Sequence, residues 1–97
     1  IEPEHYVDHI AYTADLVGAQ HVGVALDYSD GSDDLQDAIT GQSNFWPSQW
    51  YNGTMEFMAP NRLLDVVDIM LRRNFSSEDI TGILGGNFFA LAQRVWL

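Results

Sequence analysis

Hydrophobic and polar positions divide the chain into a helical first part, a short extended segment, a polar loop and a helical last third. Residues 3–17 predict a helix, because Pro3 suits a first helical turn and apolar residues recur on one face. That face comprises Tyr6, Ile10, Ala14 and Val17. Gly18 predicts the end of the helix.

The alternation of residues 21–26 predicts a short buried strand. Large apolar side chains at Val22, Val24 and Leu26 would face one side, and small residues the other, as in a parallel strand covered on both faces. Such a strand needs neighbours on both edges, because buried backbone groups without partners cost about 1–3 kcal/mol each. The chain offers one weak candidate, residues 54–58. We therefore expect these 97 residues to be part of a larger fold.

The last third predicts three further helices. Pro60 opens an apolar segment, and Asn74 suits the left-handed residue that closes a helix. Ser76 and Asp79 predict a capped start of the second helix, which residues 85–86 interrupt. The apolar positions are Leu63, Leu64, Val67, Met70 and Leu71 in the first helix, Ile80, Ile83 and Leu84 in the second, and Phe88, Phe89, Leu91, Ala92, Val95 and Trp96 in the last.

Residues 27–49 read as a long loop that is acidic and rich in aromatic side chains. Its acidic spacing lacks the pattern of a calcium-binding EF-hand, which favours a solvated loop. The aromatic side chains either line a substrate pocket or pack the loop onto its domain, and the sequence leaves both interpretations open. They are Phe45, Trp46, Trp50 and Tyr51.

Composition and charge exclude several classes of function. The formal net charge is −10, there is no lysine, and the first basic residue is Arg62. Nucleic acid is excluded as a partner, because phosphate binding needs clustered Lys or Arg. There is no cysteine, so any metal must use His, Asp or Glu. No apolar stretch approaches the roughly 20 residues needed to span a bilayer.

Asp27 is the main candidate for chemistry. An acid directly after a buried parallel strand lies at the carboxyl edge of the sheet, where α/β enzymes assemble their active sites. The alternative is structural, since Asp also caps turns and pairs with Arg.

The histidines form a weaker candidate site. His5 and His9 are four residues apart with Asp8 between them, a spacing that can hold one metal ion on a helix. No third His or Cys stands nearby, so a polar helix end is the stronger interpretation. His21 is expected to be a half-buried histidine with a backbone partner.

Short fragments in a fixed order carry a family resemblance over nearly the whole chain. They are residues 5–10, 16–18 and 21–28, then 45–47, 59–60, 71–73, 76–79, 83–88 and 94–96. In this order they resemble the membrane-type (renal) dipeptidases, zinc metallopeptidases of the amidohydrolase-like barrel class. The Leu26-Asp27-Tyr28 ending of the extended segment resembles a bacterial branch of that family.

The resemblance implies that residues 1–97 are the C-terminal part of a single metallodipeptidase domain, an α/β fold of the (β/α)₈ TIM-like barrel type. The chain would supply the last barrel helix, the eighth strand, a long loop and the C-terminal helices. On its own it would be mostly α-helical.

The resemblance also implies hydrolysis of dipeptides at two zinc ions. The family's zinc ligands are a His-x-Asp pair, a bridging Glu and two later His residues, and none of these positions falls within this chain. Asp27 matches the family's catalytic aspartate, and Tyr28 beside it is the candidate for substrate binding. The implied partners are a dipeptide and the remainder of the barrel, supplied by upstream residues or a companion chain; a homodimer stays open.

A second class of function competes with the first. The chain could be a non-catalytic acidic domain or remnant that binds another protein through its aromatic and helical faces. A His-x-Asp motif upstream in the gene would favour the enzyme, whereas a start codon near Ile1 would favour the remnant.

Overall fold

The computed structural model describes residues 2–28, 37, 41, 45 and 57–96, and these are mostly helical. In chain order they form α1 (Pro3–Val17), a 3-10 turn (Ala19–His21), a second 3-10 turn (Pro60–Arg62), α2 (Leu63–Arg72), α3 (Ser77–Thr81), a π-helical turn (Gly82–Gly86) and α4 (Asn87–Val95). The prediction that the chain by itself is mostly α-helical is confirmed for this part.

Helix α1 begins and ends where its sequence predicts. Glu2 is extended and Pro3 occupies the first turn, where its missing N–H leaves no hydrogen bond unmade. At the other end, Gly18 adopts φ 92°, and its N–H donates to the carbonyl of Ala14 at 2.8 Å. A residue with a Cβ would be strained in that left-handed conformation, which explains the glycine.

The turn between α2 and α3 also follows its sequence signals. Asn74 adopts φ 65°, the left-handed conformation that closes a helix. The Phe75 N–H then donates to the carbonyl of Met70 at 3.0 Å, and the Ser76 hydroxyl accepts from the Asp79 N–H at 3.0 Å. The predicted cap of α3 is therefore confirmed.

A small core lies between α1, α2, α3 and the segments around Val22, Met58 and Ile83. Its buried hydrophobic residues are Val7, Ile10, Val22, Met58, Val66, Ile69, Met70, Ile80 and Ile83. Tyr6, Ala14, Leu63, Val67 and Phe75 pack against its edge.

The predicted inner faces of two helices are partly wrong. On α1, Val7 is fully buried while Val17 is half exposed, because the face that packs against the core contains Pro3, Val7 and Ile10. On α2, Val66 and Ile69 are buried, whereas Leu64 and Leu71 point outward. Leu84 is also exposed. Apolar residues cover more than one face of these helices, so the position of the neighbours decides which face is buried.

The predicted strand at residues 21–26 is not formed within the described ranges. His21 ends the 3-10 turn, Val22 is extended, and residues 23–28 follow without regular secondary structure. A strand is defined by pairing, and no described segment lies alongside to pair with it. The weak candidate at residues 54–58 lies outside the described residues except for Phe57 and Met58.

Ion pairs join the start of α1 to both ends of α2. Arg73 donates to the Asp8 carboxylate at 2.8 Å and, more weakly, to the Glu4 carbonyl at 3.4 Å. Arg62 lies 3.9 Å from the Glu2 carboxylate. Exposed pairs of this kind contribute at most about 1 kcal/mol each, so they mainly set how the two helices align.

Many large apolar side chains of the described residues remain outside the core. Thirteen of them are exposed, against nine buried core residues, and five of the thirteen lie at the C-terminal end, from Phe88 to Trp96. A core this small offsets little of the chain entropy of folding, which amounts to about 1–2 kcal/mol per ordered residue.

We therefore predict that residues 1–97 on their own are helical but poorly packed. Far-ultraviolet circular dichroism should show helix, and heating should give no cooperative transition. A sharp thermal transition together with dispersed amide signals in nuclear magnetic resonance would instead identify an autonomous domain.

Candidate functional site

The segment from Val22 to Tyr28 has one side against the core and one side facing outward. Val22 is buried and Val24 and Leu26 pack against the core, while Gly23 and Ala25 between them are exposed. The predicted alternation is thus present, but among the described residues the outward side is covered only at Gly23, by the ring of Phe88.

Asp27 lies at the outward end of this segment, and its side chain is exposed. Its backbone adopts φ 52°, in the left-handed region. This conformation costs roughly 1–2 kcal/mol for most residues with a side chain, and Asp is among those that tolerate it best. The described residues provide no salt bridge to its carboxylate. Tyr28, the next residue, is 44% exposed.

The hydroxyl of Tyr6 holds the segment on α1. It donates a hydrogen bond of 2.8 Å to the carbonyl of Ala25, two residues before Asp27. Partial burial raises the pKa of the Tyr6 phenol above its ordinary value, so the neutral donor form is favoured.

Asn87 holds the other end of the segment from the first residue of α4. Its side-chain amide donates to the carbonyl of Val22 at 2.7 Å and to that of Ala19 at 2.9 Å. The ring of Phe88 packs directly over Gly23, where it leaves no room for a side chain. The last helix therefore holds the entry of the segment that ends in Asp27.

The segment runs antiparallel to α1. Tyr6, near the start of the helix, meets Ala25 near the end of the segment, and the tight turn Ala19–His21 joins their other ends. A helix followed by a short turn and an antiparallel extended segment is the arrangement of consecutive elements in α/β folds.

The histidines do not form a metal site within the described ranges. Asp8, between His5 and His9, is paired with Arg73. No group of three or more His, Asp or Glu side chains that could hold a metal ion occurs among residues 2–28 and 57–96. The expectation of a half-buried His21 is wrong: its side chain is exposed, and its main-chain N–H donates to the carbonyl of Gly18.

The loop predictions fall mostly outside the described residues. Phe45 is described and is exposed. Trp46, Trp50 and Tyr51 lie outside the described part, as does most of the acidic stretch after Tyr28.

The outer side of α4 forms an apolar groove of about 370 Å³. Its lining residues are Phe88, Leu91, Ala92, Val95 and Trp96. Exposed apolar patches of this kind usually mark a surface that another polypeptide or a ligand covers. Among the helices that the structure describes, none combines the length and apolar character needed to cross a bilayer.

Comparison with known proteins identifies no related protein. No protein-family model, no curated protein and no solved structure matches this chain.

Sequence reasoning missed Tyr6 and Asn87 as the side chains that hold the segment. Tyr6 was predicted only as part of an apolar face, although a buried tyrosine hydroxyl usually finds a hydrogen-bond partner. Asn87 gave no local signal, because its two acceptors lie 65 and 68 residues away along the chain.

We predict that, in a form of the protein long enough to unfold cooperatively, Asn87→Asp lowers the free energy of unfolding by about 1–3 kcal/mol. The substitution keeps the shape of the side chain but removes its donor and places a negative charge against two carbonyl oxygens. Urea unfolding measures the loss. Gln93→Glu, the same amide-to-acid change at an exposed position of α4, is the control and should change stability by less than about 0.5 kcal/mol. Equal effects of both changes would show that the Asn87 hydrogen bonds contribute nothing.

Proposed function

We propose that this chain is the C-terminal part of a metal-dependent dipeptidase and that Asp27 is its catalytic acid/base. The observation that carries the proposal is the position of Asp27, an exposed carboxylate at the end of a segment that is largely covered on one side and that pairs with no strand among the described residues. The ordered fragments that resemble the membrane-type dipeptidases support it, as does the antiparallel packing of α1 on this segment.

The uncovered surfaces fit a chain that is completed by more polypeptide. In a (β/α)₈ barrel, neighbouring strands would pair with both edges of residues 22–26, and other elements would cover its outward side. The apolar side of α4 would likewise gain a neighbour. The remainder of the barrel, as upstream residues or a companion chain, is thus the principal partner.

The described residues do not fit a zinc centre on their own, since they bring no set of ligands together. The proposal places the ligands of both zinc ions elsewhere in the barrel and assigns none to His5, His9 or His21. The contribution of this chain is one carboxylate at the carboxyl edge.

The proposed chemistry of Asp27 is proton transfer during peptide-bond hydrolysis. Its carboxylate orients the attacking water and accepts a proton as the new C–O bond forms. It returns this proton to the amine nitrogen as the C–N bond breaks, so the carboxylate is regenerated. Tyr28, adjacent and partly exposed, is the proposed contact with the substrate.

A non-catalytic interaction domain is the second candidate. The observation that favours it is the apolar groove on α4, which would serve a binding partner as well as it would serve a barrel. The upstream gene sequence separates the two, because only the enzyme requires a His-x-Asp motif followed by a Glu and two spaced His residues.

We predict that Asp27→Asn in the complete enzyme lowers kcat for dipeptides by at least about 100-fold while most of the zinc stays bound, since the loss of one acid/base group forfeits about 10²–10⁴-fold. Asn also tolerates the left-handed backbone, so the fold should be kept.

The control for this substitution is Asp15→Asn, which removes the same charge from an exposed position of α1. It should leave kcat within about twofold, as expected for a surface change remote from the site. Activity of Asp27→Asn close to that of the wild type would refute the assignment of Asp27.

We further predict that His5→Ala and His9→Ala leave the zinc content of the complete enzyme unchanged. Both residues lie on α1, which would cover the outside of the barrel, whereas the zinc site would lie inside the ring of strands. Elemental analysis of the purified variants gives the answer, and a loss of bound zinc would mean that these histidines are ligands after all.

A further inference from the structure

We propose that Tyr6 is a positioning residue for Asp27: its hydroxyl fixes the carbonyl of Ala25 and thereby aims the carboxylate two residues further on. The inference rests on the proposed function, because it assigns Tyr6 a role in the reaction that Asp27 would catalyse.

Few polar contacts among the described residues hold this end of the segment. Within the described residues, the bond from the Tyr6 hydroxyl to the Ala25 carbonyl is the one side-chain hydrogen bond to residues 23–28. The side chains of Val24 and Leu26 pack against the core edge, which holds the inner side of the segment by non-directional contacts.

Tyr6 belongs to a helix that is held in place by packing and by an ion pair. Val7, the next residue, is fully buried, and one turn of α1 carries the Asp8 carboxylate that pairs with Arg73 at 2.8 Å. A site is held accurately when its supporting residues sit on packed secondary structure. A chain of contacts therefore runs from α2 through α1 and Tyr6 to the segment that ends in Asp27.

The backbone of Asp27 is in the left-handed region, with φ 52°. Residues persist in such conformations when their surroundings hold them there, and they occur preferentially at functional sites. The bond to Ala25 restrains the backbone immediately before this residue. If the bond is lost, the chain around Asp27 can relax toward an ordinary extended conformation, and the carboxylate then points elsewhere.

The bond is compatible with pairing of the segment in a barrel. A carbonyl oxygen has two lone pairs, so Ala25 can accept from the Tyr6 hydroxyl and from the N–H of a neighbouring strand. Tyr6 would therefore keep its role in the completed protein.

The test compares Tyr6→Phe with Tyr12→Phe in the complete enzyme. Both substitutions remove one hydroxyl from α1, but Tyr12 is 68% exposed, and among the described residues its hydroxyl donates no hydrogen bond to the segment. We expect Tyr6→Phe to lower kcat by about 10- to 100-fold, because misplacing a catalytic group by about 1 Å has effects of that size. KM should change by less than about threefold, zinc content should be unchanged, and Tyr12→Phe should behave as the wild type.

A double-mutant cycle separates positioning from a general loss of stability. If Tyr6 acts through Asp27, Tyr6→Phe has no further effect on the residual rate of Asp27→Asn. Ile83→Val, a mild change at a fully buried core position outside the segment, supplies a variant of reduced stability. Measured at a temperature where every variant is folded by circular dichroism, it should keep the wild-type kcat.

Each outcome decides the proposal. Equal activity of Tyr6→Phe and Tyr12→Phe, or a further fall in rate when Tyr6→Phe is added to Asp27→Asn, would overturn the role of Tyr6 and leave the dipeptidase proposal standing. A complete wild-type protein without dipeptidase activity in the presence of zinc would overturn the proposed function, and the positioning role would fall with it.

Discussion

Hydrogen bonding of the extended segment, residues 22–28, is the constraint on which the rest of the structure depends. An extended backbone cannot pair its own N–H and C=O groups, so each needs a partner from another part of the molecule. In the described residues two side chains supply part of this need: Asn87 donates to Val22, and Tyr6 donates to Ala25. The segment thus connects the first helix to the last one.

Among the described residues, ion pairs from both ends of α2 reinforce this arrangement at the start of α1. With a net charge of −10, most carboxylates have no cation available. Three of the four arginines pair with acidic groups on α1 or α2, and Arg73 reaches across from the end of α2 to Asp8. These exposed pairs add little free energy, but they fix the start of α1, and Tyr6 lies in that part of the helix.

Local signals allowed much of the helical structure to be predicted. Pro3, Gly18, Asn74 and the Ser76 cap act on their own neighbours, so their effects can be read from sequence. The buried faces were predicted less well: Val7 was missed and Leu64 was placed inside, because the neighbours of a helix decide its orientation. Asp27 was singled out from the alternation before it, but its left-handed backbone and its link to Tyr6 depend on contacts between distant residues.

The polar contacts at the start of α4 connect its exposed apolar side to the extended segment. Asn87 bonds to the 3-10 turn and to Val22, and Phe88 covers Gly23, so the beginning of the helix is fixed against the segment. Leu91, Val95 and Trp96 then continue the helix outward with no described residue over them. A partner that covers this side would bury apolar surface of the same helix whose first residues contact the entry of the segment. Burial of the apolar groove on α4 would therefore stabilise the backbone that leads to Asp27. The groove and the segment are thus coupled through the first residues of α4.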